Sequence, residues 1–298
     1  MRRIIGVAVT DRIVAGLVEN NSLPRTLRVF PEGADHGDDL TGMPAEQIAH
    51  VIAKEVAALA SGGPVDAVGV GFPGIIREGV IQESPNLPQM KGVDMRRTFA
   101  SALASLNISA PVSLYNDADI MAAGMAATRG HLDRLIRVWT LGNGIGYGRY
   151  PWSEGVWEGG HSVVTLDPKE QHCGCGGHGH LEGIMGHRAM RMRFLDMEPD
   201  EVFENAKQGN QRCAEFVKLW HRALAAATAT SIHMSGPGKF FITGHNAKYL
   251  DITLLNSSLH DMVKMSPLQD YNIEVVQGGD DIAVLGAAVN AERAAFVD

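Results

Sequence analysis

The sequence predicts an α/β protein built from two related halves. Three observations carry this reading. Strands alternate with helices along the chain. A β-hairpin opens near residue 4 and another near residue 135. The 298 residues are enough for about two domains of ordinary size, and the 45% apolar content is enough to fill their cores.

The elements follow in order. Residues 4–9 and 13–18 are short apolar runs parted by Thr10-Asp11, which reads as a hairpin. Over 47–59, Ile48, Val51, Ile52, Val56 and Leu59 recur at helical spacing, and Ser61-Gly62-Gly63-Pro64 ends that helix. A buried strand over 65–72 runs into the Pro73-Gly74 turn, and 80–81 is a further short strand. A helix over 99–106 precedes a strand over 112–115, which leads into Asn116-Asp117 and a helix rich in Ala and Met over 120–127. The second half opens with a strand over 136–141, the turn Gly142-Asn143-Gly144-Ile145-Gly146 and a return strand over 147–150. Glycine turns in such hairpins present backbone N–H groups that suit phosphate. A long helix over 213–234 follows, then strands over 240–243, ending at Gly244, and over 273–276. Gly278-Gly279-Asp280-Asp281 precedes a C-terminal helix from Ile282.

Charge narrows the function. Lys plus Arg is 26 and Asp plus Glu is 34, a net charge of −8. That balance argues against a broad nucleic-acid or anionic-membrane surface. No apolar run is long enough to span a bilayer, and the apolar start ends at Thr10-Asp11 with no cleavage pattern, so a soluble cytoplasmic protein is expected.

The densest chemistry lies in His172-Cys173-Gly174-Cys175-Gly176-Gly177-His178-Gly179-His180, with Glu158-Gly159-Gly160-His161 upstream. Thiolates and imidazoles at short spacing suit tetrahedral Zn²⁺, and a set of four protein ligands makes a structural site. From the residues alone, four ligands are to be drawn from His161, His172, Cys173, Cys175, His178 and His180. The third cysteine, Cys213, reads as a buried helix thiol.

Taken together, these segments resemble the ROK family of sugar kinases and repressors. The resemblance rests on Gly69-Val70-Gly71-Phe72-Pro73-Gly74, Ser84-Pro85-Asn86-Leu87-Pro88, Tyr115-Asn116-Asp117-Ala118 and Gly142-Asn143-Gly144-Ile145-Gly146. It rests most specifically on Glu158-Gly159-Gly160-His161 followed by the cysteine–histidine segment and Leu181-Glu182. Gly286-Ala287-Ala288 fits the closing helix.

The resemblance implies a two-domain actin-like or ribonuclease-H-like fold with a cleft between the domains. The small domain is expected over 1–117, with the helix over 283–298 returning to it, and the larger, zinc-carrying domain over 118–282. Asp117 stands at the position of the catalytic base. Gly74, Asn86, Asn116, Glu158, His161 and Glu182 stand at sugar-binding positions. The resemblance places zinc on His161, Cys173, Cys175 and His180, with His178 as a competing donor, and Thr10, Asp11, Gly142, Asn143, Gly144 and Gly244 on the nucleotide side. Mg²⁺ would arrive with ATP, and a homodimer without nucleic-acid or membrane partners is implied. The implied activity is ATP-dependent phosphorylation of a hexose or hexose derivative.

The nucleotide side departs from the family pattern. Val7 stands where the family's opening acid stands, and the two glycines after it are absent. The alternative is therefore a sugar-binding or regulatory protein that transfers phosphate weakly or not at all. The repressor branch carries an N-terminal helix-turn-helix; a hairpin that begins by Ile4 leaves no residues for one, so a repressor is not expected.

Overall fold

The computed structural model describes residues 2–33, 40–60, 63–264 and 270–296. In chain order they form β1 (Ile4–Val9), β2 (Ile13–Val18), β3 (Arg28–Phe30), α1 (Ala45–Ala60), β4 (Ala67–Phe72), β5 (Ile75–Arg77), β6 (Val80–Glu83), α2 (Met95–Ser105), β7 (Val112–Asn116) and α3 (Asp117–Thr128). Then come β8 (Ile136–Leu141), β9 (Ile145–Tyr150), α4 (Leu181–Met185), α5 (His187–Arg193), α6 (Pro199–Lys207), α7 (Gln211–Ser235), β10 (Gly238–Thr243), α8 (Ile252–Met262), β11 (Tyr271–Val275) and α9 (Asp280–Phe296). Ser61 and Gly62 of the expected helix stop, and residues 297–298 of the expected last helix, lie outside the described residues.

The chain divides into two compact units. Unit 1 is Met1–Ile136, Gly148–Val156 and Gly278–Asp298, and unit 2 is Arg137–Tyr147 and Trp157–Gln277. The division differs from the boundary expected at 117, because α3 is bound into unit 1 by α9. A Cβ on Gly286 of α9 would sit 1.7 Å from the Ile120 carbonyl oxygen, and one on Gly124 of α3 would sit 1.9 Å from that of Ile282. Only glycine at both positions lets the two backbones approach this closely.

The unit 1 sheet has the order β3-β2-β1-β4-β7. β1 and β2 are antiparallel, with Ile4 opposite Val18 and Val9 opposite Ile13. β1, β4 and β7 run parallel. Every residue of β1, β2 and β4 is buried, as expected of strands covered on both faces. Alternation sends Ile5, Val7 and Val9 into a core with Ile48, Ile52, Val56 and Leu59 of α1. Ala8 and Val14 instead meet Ile120, Val284 and Ala287 of α3 and α9. Each large aliphatic side chain buried in this way contributes about 1.5–3 kcal/mol of transfer free energy.

Helix α2 starts four residues before the expected position, because Asp94 caps it by accepting the Arg97 N–H at 3.0 Å. α3 likewise starts at Asp117, three residues before the expected run, capped by Asn116.

The unit 2 sheet has the order β11-β10-β8-β9. A hairpin at one edge followed by two later strands repeats the β2-β1-β4-β7 order of unit 1. Its core gathers Trp139, Leu141, Phe240 and Ile242 from the sheet with Phe216, Trp220 and Leu224 of α7, and Cys213 is buried there. No helix among the described residues is long and apolar enough to cross a membrane.

Candidate active site and metal centre

In unit 1, three expected site residues meet where β7 passes into α3. The Asn116 side-chain N–H donates to the Gly74 carbonyl at 2.7 Å, and its oxygen accepts the Ala118 N–H at 2.8 Å. The residue that caps α3 therefore also ties it to the Pro73-Gly74 turn. Asp117 is the first helical residue, and its Oδ1 also accepts from Ala118, at 2.9 Å. The buried Ser84 hydroxyl donates to the Pro73 carbonyl at 2.7 Å, which sets the turn carrying exposed Asn86 beside the same loop. The positive end of the α3 dipole favours the ionised form of a carboxylate placed there.

Elsewhere in unit 1, Thr10 and Asp11 form the exposed tip of the β1–β2 hairpin, with the Thr10 hydroxyl donating to Asp11 at 2.8 Å. Arg12 beside them pairs with Asp280 at 2.5 Å, at the start of α9. Val7 is 0% exposed in the sheet core. An acid there would be buried among Ile5, Val9 and the α1 side chains.

In unit 2, His161, Cys173, Cys175 and His180 bring one ligand atom each to within 4.8 Å of one another. The two sulfurs are 3.4 Å apart, and the Cys175 sulfur is 3.2 Å from His180 Nδ1. His172 and His178 stay outside this group. Burial pushes the Cys173 thiol up to about 12, and the Glu182 carboxylate beside it adds to the shift. Two sulfurs and two imidazole nitrogens gathered this closely make a donor set that fits Zn²⁺, and a bound cation would hold the Cys173 sulfur as a thiolate.

The backbone around the four donors is braced. Val164 donates to the Gly179 carbonyl at 2.8 Å, Gly179 to the Glu170 carbonyl at 2.7 Å and Leu181 to the Ser162 carbonyl at 2.9 Å. Glu170 is held by a two-armed ion pair with Arg193 of α5. Neither Glu170 nor Arg193 was predicted as part of the site, for the only signal was opposite charge 23 residues apart.

Glu182 joins the four clustered donors to the β8–β9 turn. Its Oε2 accepts the Ile145 N–H at 3.0 Å, and its Oε1 lies 3.7 Å from the Cys173 sulfur and 3.9 Å from His161 Nε2. The hydrogen bond to Glu182 raises the His161 pKa above its ordinary value. Glu158 approaches the other His161 nitrogen at 3.4 Å. Gly144 lets the Glu182 carboxylate reach the turn, since a Cβ on it would lie 2.6 Å from Oε2.

The turn itself is tight, with Gly142 donating to the Gly144 carbonyl at 2.9 Å across Asn143. Gly244 packs against the Leu141 carbonyl, so the four expected nucleotide-side residues of this unit share one corner. Asn246, 0% exposed, fastens it by donating to the Gly142 carbonyl at 3.0 Å, with its oxygen 3.2 Å from His187 Nδ1. No motif in the sequence singles out Asn246. Its position two residues past Gly244 is the one local hint.

The ROK family profile matches residues 37–294. The chain belongs to the ROK family. The matched residues begin beyond Val7, Thr10 and Asp11. A glucokinase of Pyrobaculum calidifontis is 29% identical over 257 residues, which is 80% of this chain and 83% of the relative. The crystal structure of a ROK hexokinase from Thermus thermophilus superposes with a TM-score of 0.78 at 23% identity, covering 97% of each chain. A ROK family glucokinase from Streptomyces griseus, solved in complex with glucose and AMPPNP, gives 0.67 at 22% identity, covering 98% of this chain and 99% of the other. These two likenesses establish the two-domain, actin-like and ribonuclease-H-like fold.

Proposed function

We propose that this ROK chain is an ATP-dependent sugar kinase for a hexose or hexose derivative, with Asp117 as general base. The observation that carries the reading is the fixed start of α3. Asn116 caps the helix and grips the Gly74 carbonyl, and Asp117 follows as the first helical residue. In the proposed step Asp117 takes the proton of one sugar hydroxyl as its oxygen attacks the γ-phosphorus of ATP. The bond from that phosphorus to the bridging oxygen breaks, and ADP leaves.

Gly74, Asn86, Asn116, Glu158, His161 and Glu182 are the proposed sugar-binding residues. Carboxylates, amides and imidazoles together supply the donors and acceptors that hydroxyl groups need. Thr10, Asp11, Gly142, Asn143, Gly144 and Gly244 are the proposed nucleotide-side residues, and Mg²⁺ accompanies ATP. His161, Cys173, Cys175 and His180 would hold Zn²⁺, whose role when bound is to keep the loop between His161 and Glu182 in place. The family resemblance further supports a homodimer in the cytoplasm without nucleic-acid or membrane partners.

A second reading, a sugar-binding protein with weak phosphoryl transfer, is favoured by the burial of Val7 at the position of the family's acid. The test is ADP release from ATP with Mg²⁺ and zinc-loaded protein across hexoses, amino sugars and keto sugars, with Asp117→Asn alongside. We expect one sugar to stimulate turnover and the variant to lose about 100-fold or more in kcat. Absence of turnover with every sugar would favour the second reading.

A further inference from the structure

Two residues beyond the proposed base, α3 carries a second carboxylate that the phosphoryl-transfer step does not use. Asp119 is 7% exposed. Its Oδ1 accepts the backbone N–H of Arg149 in β9 at 3.0 Å. Next to that bond, Gly148 lies flat against the same turn of α3, where a Cβ would sit 1.8 Å from the Ala118 carbonyl oxygen. The turn Asp117-Ala118-Asp119 is thus pinned to β9 at two successive strand residues, both within unit 1.

A carboxylate near the start of a helix ordinarily faces the unpaired N–H groups of that helix. Asp119 is instead buried against a strand, where its charge is poorly solvated. Burial is the chief cause that pushes its pKa up to about 7, and the Asp117 carboxylate adds to the shift. The Arg149 amide and guanidinium oppose it. Asp117 of the same helix and Arg149 of β9 are the charged groups that act on Asp119.

We propose that Asp119 is a positioning residue for Asp117, latching the turn that carries the base to β9 and imposing its own charge on that base. The inference rests on the reading of Asp117 as the base. In acid, protonated Asp119 holds the latch with no like charge beside Asp117. As the pH rises through neutrality Asp119 ionises, and a second negative charge two residues away raises the proton affinity of Asp117. The base becomes stronger, so kcat rises a second time, after the rise that follows ionisation of Asp117 itself.

The experiment measures kcat and KM for the best sugar across about pH 5 to 9 in wild type, Asp117→Asn, Asp119→Asn and Asp119→Ala, all zinc-loaded. Asp119→Asn keeps an oxygen for the Arg149 amide and removes the charge. It is expected to lose the second rise, centred near pH 7 in wild type. Asp119→Ala also loses the latch, and kcat is expected to fall about ten-fold at every pH while sugar KM moves less than about two-fold. Superimposable pH profiles for wild type and Asp119→Asn would overturn the proposal, even if Asp119→Ala failed to fold. Turnover retained in Asp117→Asn would remove the base, and the inference with it, so the two failures are told apart.

Discussion

Asn116, Asp117 and Asp119 show how much chemistry one helix start can hold. Asn116 spends both ends of its amide on backbone partners, so the residue before Asp117 is fixed in two directions. Asp119 costs the fold something for its position. Its carboxyl has an ordinary value of 3.8 when unfolded and about 7 when folded. Below pH 3.8 both states hold the proton and the full stability is present. Above that, the unfolded chain releases the proton while the folded chain keeps it. Stability therefore falls with rising pH until the folded carboxyl also ionises, near pH 7. Urea unfolding should find Asp119→Asn more stable than wild type by on the order of a few kcal/mol at about pH 8, with the gain shrinking towards about pH 4. A gain of the same size at both pH values would contradict the burial argument.

At the level of elements, the crossing of α3 and α9 depends on backbone contact. On an exposed helix, Gly→Ala stabilises by about 1 kcal/mol. Gly286→Ala must instead push α9 away from the Ile120 carbonyl, 1.7 Å from the new Cβ. It should destabilise unit 1 by about 1–3 kcal/mol or more, read as a lower melting temperature, and a higher one would contradict the packing. The sequence made some elements legible and hid others. The two hairpins are readable because each needs only two apolar runs and a local turn. The donors Cys173, Cys175 and His180 are readable because they lie within eight residues, and His161 because the family pattern joins it to them. Apolar periodicity places the starts of α2 and α3 late because it begins only after the capping turn; Asp94 and Asn116 are the signals of the true starts. Asn246 holding Gly142 across 104 residues, and Arg149 reaching Asp119 across 30, left no local pattern. Such partners are chosen by tertiary packing, which neither hydrophobic period nor motif spacing encodes.

For the whole molecule, the two sheets share a strand order, each beginning with a hairpin, and the family assignment covers most of the chain. The proposed zinc is a property of unit 2 as a folded body, because its donors come from either side of the loop that Glu170, Arg193 and Glu182 brace. Metal analysis should find about one zinc per chain, and a strong chelator should lower the melting temperature. Metal-free protein with unchanged melting would contradict a structural zinc. The proposed function turns on Asp117 as the base of a phosphoryl transfer. The decisive measurement is the amount of phosphorylated sugar, by mass spectrometry, formed from ATP by zinc-loaded wild type and by Asp117→Asn with the best sugar of the panel. Sugar phosphate is expected from wild type, with a loss of about 100-fold or more in its rate of formation by the variant. Equal rates from the two proteins, or no sugar phosphate from folded, zinc-loaded wild type, would contradict it.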